Sequence, residues 1–528
     1  MEIKLGNTLW DHSQKLGIQI PSTCGGKGEC GKCVVKIEKG MDALSEKSKV
    51  EGRYRFDKGE RLACQAKVIS DSQDIHVLMK AAGEYSILTE SVDGYVPLDP
   101  LIYRRGETVF HRGFQDQSPG KYEGELLGLA IDVGTTTLVV QLLDLETGEA
   151  IATSACKNPQ ITYGEDVISR IGFTDQHNDG VTRLQKVILD AVNSLLQNFK
   201  VCLGREINGH IYEAVVVGNP TMRNLFFGQS VHSLGISPFE PESTSLIYEK
   251  ASEIGLQINP EAYVYGAPLV AGQVGADCLS VILVCDLHKK KKPCMAVDIG
   301  TNGEVAVGNK ERIVAASNAA GGAFEGATVS CGVGAIEGAI KNMWIKDGDV
   351  SFETIGNKPP IGICGSGLID LLAEMLREGI INEMGRFSEV YQDSMEFVVS
   401  EKETRIILSQ KDINELRLAR AGFIINQKTL MREYGIDVGE LDTIYLVGGF
   451  GNFVNTNNAV AIGILPKVKG CLVKIGNGAL AGARQMLLSR ARREDTESLA
   501  RRIEHVRLFE EENLLDLYVN ELSLKSWP

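Results

Sequence analysis

Two turns of the same kind constrain this chain more than any other feature. Asp132-Val133-Gly134-Thr135-Thr136-Thr137 ends one apolar run and opens another, and Asp298-Ile299-Gly300-Thr301-Asn302-Gly303-Glu304 does the same further on. Each predicts an apolar strand, a tight turn and a returning strand, so the pair is an internal repeat of one supersecondary unit. A third Gly-rich strand end follows at 444–451 and carries Gly448-Gly449. Helical spacing of apolar residues at 182–203 and 416–434 alternates with these strands. The expectation is an α/β architecture.

The turns also have chemistry. A Gly-rich turn between antiparallel strands presents N–H groups and hydroxyls to phosphate oxygens. An Asp at its edge can hold the water shell of Mg²⁺ or orient an attacking water. The pair Gly448-Gly449 lets a nucleotide's adenosine part approach closely. One such turn is an ordinary hairpin; two in matching contexts, with the later Gly-Gly, point to a nucleotide. The candidate binding residues are Gly134, Thr135, Thr136, Thr137, Gly300, Thr301, Asn302, Gly303, Gly448 and Gly449. The candidate catalytic carboxylates are Asp132, Asp298 and, beside the second turn, Glu304. Asn158-Pro159-Gln160, Gly218-Asn219-Pro220-Thr221-Met222, 319–326 and Cys364-Gly365-Ser366-Gly367 carry a weaker signal, as anion-binding helix openings or as plain backbone geometry.

Cys24, Cys30, Cys33 and Cys64 form a second constellation: three thiols in one Gly-rich loop and a fourth far downstream. One loop plus a distant strand is how a [2Fe–2S] cluster is held, whereas zinc ribbons use two C-x-x-C pairs. The same loop matches G-x-x-x-x-G-K, but Cys33 stands where a P-loop needs Ser or Thr for magnesium, so that reading is set aside. The other eight cysteines are scattered and read as small core residues.

Composition narrows the partners. The formal net charge is -14 over 528 residues, the wrong sign for a sequence-independent nucleic-acid binder. Residues 1–84 hold 14 Lys+Arg against 12 Asp+Glu, so the acidity belongs to the remainder. There is no secretory leader pattern and no apolar run suited to a membrane, which leads to the expectation of a cytoplasmic protein.

The cysteine spacing resembles the [2Fe–2S] ferredoxins; its five-residue first gap is similar to that of adrenodoxin-type members. The repeated turns and Gly-Gly resemble the acetate and sugar kinase/Hsc70/actin superfamily, which implies two related lobes with ATP in the cleft between them. Together with NPQITYGEDVISRI, VVGNPTM, DIGTNGE, GAFEG and ICGSGLID, the whole chain resembles the reductive activators of corrinoid proteins. That resemblance implies a β-grasp ferredoxin domain (1–84), a linker (85–125), two actin-like ATPase lobes (126–290 and 291–490) and a charged helical tail (491–528). It implies one [2Fe–2S] cluster, ATP with Mg²⁺, a corrinoid protein of a methyltransferase system as partner and an upstream low-potential donor. It allows a homodimer, which no sequence feature demands. The implied activity is ATP-driven one-electron reduction of Co(II) to Co(I), the ferredoxin domain swinging on the linker. The alternative is a small-molecule kinase with a fused regulatory or redox-sensing cluster domain.

Overall fold

The computed structural model describes residues 5–15, 20, 28, 33–53, 56, 58–70, 74–79, 96–114, 117–300, 302–318, 321–326, 328–401, 404–449 and 451–527. Of the candidate residues, Cys24, Cys30 and Thr301 lie outside them.

The N-terminal unit is built on an antiparallel sheet of β1 (Val34–Lys39), β2 (Glu60–Leu62) and β3 (His76–Met79), with β1 in the middle. Val35 and Ile37 of β1 are buried, and their polar neighbours face out, as the alternation in sequence requires. They form a small core with Leu9, Leu44, Leu62 and Val68.

The stretch read as a linker is folded over most of its length. β4 (Ile102–Arg105), β5 (Thr108–His111) and β6 (Gln117–Lys121) make a second antiparallel sheet. Ile102 and Val109 are fully buried in the core of the first lobe. The Tyr212 hydroxyl donates to the Lys121 carbonyl at 2.6 Å. The prolines and polar run that suggested a tether edge this short sheet instead; each strand is too brief to show an alternation of its own. The described residues of 96–125 therefore pack with the first lobe.

The first lobe holds β7 (Leu127–Val133), β8 (Thr137–Asp144), β9 (Ala150–Lys157), β10 (Ile211–Gly218), β11 (Ile247–Lys250) and β12 (Tyr263–Gly266), in the order β11-β12-β10-β7-β8-β9. The second lobe opens with β13 (Cys294–Ile299), β14 (Gly303–Gly308) and β15 (Ile313–Asn318). A side sheet of β16 (Ala339–Lys346), β17 (Asp349–Thr354) and β18 (Gly362–Ile363) and a hairpin of β19 (Glu396–Ser400) and β20 (Ile406–Ser409) follow. β21 (Thr443–Val447), β22 (Cys471–Gly476) and β23 (Glu504–His505) complete the main sheet as β22-β21-β13-β14-β15-β23. In both lobes the first strand is antiparallel to the second and parallel to the fourth. The repeat seen in two turns is thus a repeat of whole sheets.

Helices Ala276–Val284 and Gly478–Leu488 cross between the lobes. A Cβ at Gly482 would lie 2.3 Å from the Ser280 Cβ, so only glycine permits this crossing. The segment expected as a charged helical tail is built into the fold: Arg493 and Thr496 of helix Arg490–Ala500 are buried, β23 joins the main sheet, and Trp527 donates to the Gly463 carbonyl at 2.7 Å. No described helix is long and apolar enough to cross a membrane.

Candidate functional site

The register of the two sheets delivers the carboxylates to one place. Asp132 pairs with Val217 and Asp298 with Val447, each one residue short of a strand end and just before a glycine of the neighbouring segment, Gly218 or Gly448. A Cβ at Gly218 would meet the Val133 carbonyl oxygen at 2.6 Å; one at Gly448, where φ is +119°, would meet the Ile299 carbonyl oxygen at 2.9 Å. Glycine at these equivalent positions lets neighbouring strand ends close up under the turns. Gly449 next to it faces open space, as close approach of a ligand requires.

The lobes meet over these residues. Asn477 caps helix Gly478–Leu488 by accepting the Leu480 N–H, which turns its Nδ2 to donate to Asp132 Oδ2 at 3.0 Å. Thr136 Oγ1 of the first turn donates to Glu325 Oε2 at 2.9 Å. Asp277, in the first turn of helix Ala276–Val284, lies against Glu304 of β14. Asn426 Nδ2 holds the Gly303 carbonyl of the second turn at 2.6 Å.

The result is an acidic pocket. Burial raises Asp298 to about 8, and the charges of Asp277, Asp132 and Glu325 add to it. Burial raises Asp132 to about 7, against the Asn477 hydrogen bond that opposes it. Asp277 rises to about 6 by burial, and Glu304 goes well above its usual range for the same reason, with Asp277 adding. Glu304 Oε1 is buried without a hydrogen-bond partner. Clustered carboxylates with raised affinity for protons fit a divalent cation. No three of the described His, Cys, Asp or Glu side chains form a cage by themselves.

The other half of the chemistry is in the N-terminal unit. Pairing of Val34 with Leu62 brings Cys33 and Cys64 together, both buried, with Sγ atoms 3.3 Å apart. Such a pair fits two ligands of one iron. The Cys33 contact, reinforced by Gln65 and the Gly28 N–H, pulls the Cys64 thiol down to about 7. A buried ion pair anchors the strand before Cys64: Arg61 Nε meets Glu51 Oε1 at 2.8 Å, and the same oxygen accepts the Leu62 N–H at 3.0 Å.

Of the residues expected from sequence, Asp132, Asp298 and Glu304 come together in one cluster and Cys33 lies beside Cys64. Asp277, Glu325, Asn477 and the Glu51–Arg61 pair lie beside them and were not among the expected residues. Asp277 carried one signal, a lone acid inside the most apolar stretch of the chain. Gly365-Ser366-Gly367 proves to be packing: Ser366 Oγ donates to the Lys341 carbonyl at 2.6 Å, and a Cβ at Gly367 would strike the Ile340 carbonyl oxygen at 2.4 Å.

Comparison with known proteins agrees with this architecture. Residues 2–68 match the 2Fe-2S iron-sulfur cluster binding domain, 127–290 the RACo middle region, and 292–527 the C-terminal domain of RACo, described as the ASKHA domain. The chain is 30% identical to the corrinoid activation enzyme RamQ of Eubacterium limosum, covering 98% of this chain and 96% of RamQ. It is 25% identical to the [Co(II) methylated amine-specific corrinoid protein] reductase of Methanosarcina barkeri, over 75% of this chain and 77% of that one. Among solved structures, a reductive activator for corrinoid, iron-sulfur protein superposes with a TM-score of 0.77 at 28% identity, covering 100% of this chain and 97% of that one.

Proposed function

The chain belongs to the family of reductive activators of corrinoid proteins, and from that premise we propose how its two sites share the work. It is an ATP-hydrolysing iron–sulfur electron transferase that returns an inactive Co(II) corrinoid protein to Co(I). One observation carries the reading: the same chain holds a paired-thiol site and a cleft in which two matching lobes bring Asp132 and Asp298 together. Similarity that runs through the cluster domain and both lobes favours this reading over a kinase with a fused cluster.

Cys33 and Cys64, with Cys24 and Cys30, hold the [2Fe–2S] cluster, which when bound supplies a single low-potential electron. Asp132, Asp298 and Asp277 hold the water shell of Mg²⁺ and orient the attacking water. Glu304, whose burial beside Asp277 favours its neutral form, acts through Asp277. The turns 134–137 and 300–303 receive phosphate, and Gly448-Gly449 receive the adenosine part. The two lobes dock the corrinoid protein in one nucleotide state and release it in the other, so differential affinity supplies the drive. A corrinoid protein of a methyltransferase system and an upstream low-potential donor complete the chain of transfer, in the cytoplasm.

The test uses anaerobically reduced protein, a Co(II) corrinoid protein and Mg-ATP, with Co(I) followed by its absorbance. Co(I) appears with ATP and not without it. ATP turnover that needs a small metabolite and leaves cobalt oxidised would establish the kinase instead.

A further inference from the structure

Two motifs that the sequence set apart, Asn158-Pro159-Gln160 and Gly218-Asn219-Pro220-Thr221-Met222, converge behind the first turn rather than in front of it. All four carbonyl oxygens of that turn are occupied. Gly134 accepts from Asn158 Nδ2 at 2.8 Å, and Thr136 from the Asn158 backbone N–H at 2.8 Å. Thr135 accepts from Arg170 Nη2 at 2.6 Å, and Thr137 from the Gly134 N–H at 2.9 Å. Asn158 and Arg170 are fully buried, so these bonds lie on the side away from solvent. The Thr135 N–H finds no acceptor among the described residues.

The amide orientations are determined by the chain itself. Asn219 Oδ1 accepts the Met222 N–H at 3.0 Å, so its Nδ2 is the atom that donates to Thr135 Oγ1 at 2.9 Å. Because Thr135 Oγ1 accepts there, its own proton is left to be given elsewhere. Asn158 Oδ1 likewise accepts the Gln160 N–H, which commits its Nδ2 to Gly134. Arg170 spends its guanidinium on neutral groups: the Thr135 and Gly164 carbonyls, Gln160 Oε1 and Met222 Sδ. Burial lowers it to about 9, which leaves it cationic at neutral pH.

We propose that Arg170, Asn158 and Asn219 are positioning residues for the nucleotide's phosphates. They pull the carbonyl dipoles of turn 134–137 to the rear, turn the Thr135 N–H and hydroxyl proton toward the cleft, and set a buried positive charge behind them. The Asp166 carboxylate is a counter-charge near Arg170 within the chain, and the bound phosphate adds a second. The three touch the turn and not the nucleotide. This inference rests on the ATP reading above and adds which residues shape the phosphate subsite.

The test compares full-length R170M, R170K and N219S with the unsubstituted protein, titrating ATP, ADP and adenosine in the presence of Mg²⁺ and measuring KM and kcat for hydrolysis. Serine keeps the cap of helix Pro220–Phe226 but is too short to reach Thr135. R170M weakens ATP and ADP by about 10-fold or more, leaves adenosine within about 2-fold, and raises KM with kcat little changed. R170K recovers part of the loss, and N219S loses roughly 3- to 10-fold with the same selectivity. ATP and adenosine weakened in equal proportion, or no change in a folded variant, overturns the assignment. Should R170M fail to fold, N219S decides alone. An unsubstituted protein that binds no ATP would instead sink the nucleotide reading.

Discussion

Asp298 holds its proton to about 8 and Asp132 to about 7, whereas in an unfolded chain either would release it near 3.8. Folding therefore takes up protons over this interval, and stability falls as pH rises from about 4 through 8. Metal-free protein melts at a lower temperature at pH 8.5 than at pH 6, D298N shows a shallower decline, and Mg²⁺ recovers the loss. Equal pH slopes for the two proteins in thermal melts would count against the acidic pocket as described. The same protons compete with the cation, so Mg-ATP binding strengthens from pH 6 to pH 8. For activity, D132N and D298N each lose ~10²–10⁴-fold in phosphate release, the scale of removing a group that orients the attacking water. Glu304 behaves differently: E304Q keeps a neutral hydrogen-bonding group beside Asp277 and retains most of the rate, read in the same assay.

Between elements the decisive contacts are close approaches and one buried pair. Helices Ala276–Val284 and Gly478–Leu488 deliver Asp277 and Asn477 to the cleft from opposite lobes, and their crossing depends on Gly482. G482V forces them apart at a cost of about 1–3 kcal/mol, measured by urea denaturation, and weakens nucleotide binding although residue 482 touches no ligand. In the ferredoxin unit, R61M leaves Glu51 buried and unpaired, a loss of about 3–5 kcal/mol. Its direct readout is iron per chain after desalting, which drops because the strand carrying Cys64 loses its anchor. These contacts also mark what could be read in advance. The turns, the paired aspartates and the cysteine spacing repeat or punctuate the sequence, so they were visible. Asp277, Glu325 and Asn477 reach the site through tertiary packing from three separate segments; Asp277 alone stands out locally, as an acid in an apolar stretch, and nothing local distinguishes the other two. The sheet 102–121 was hidden for another reason: strands of four or five residues are too short to display a period.

At the scale of the whole molecule, the C-terminal segment ties into both lobes. Arg493 Nη1 donates to Glu213 Oε1 at 2.6 Å and to the Tyr248 hydroxyl at 2.8 Å, while His111 Nε2 of the small sheet lies 3.4 Å from the same Glu213 oxygen. Three regions that looked separable in sequence (linker, first lobe and tail) share one buried charge centre. R493M strands the Glu213 carboxylate and costs about 3–5 kcal/mol by thermal or chemical denaturation, and the small sheet becomes open to protease in the same variant. A melting curve unchanged by R493M would mean the centre is not what joins the regions. The 280 residues between Glu213 and Arg493 carry a consequence for the growing polypeptide. At roughly 5–20 residues per second the ribosome takes on the order of 14–56 seconds to make that stretch. Throughout that interval the nascent first lobe has the acid without the cation that neutralises it. A chain cut short before residue 493 never gains that cation, so it is expected to be cleaved by protease faster than the full chain.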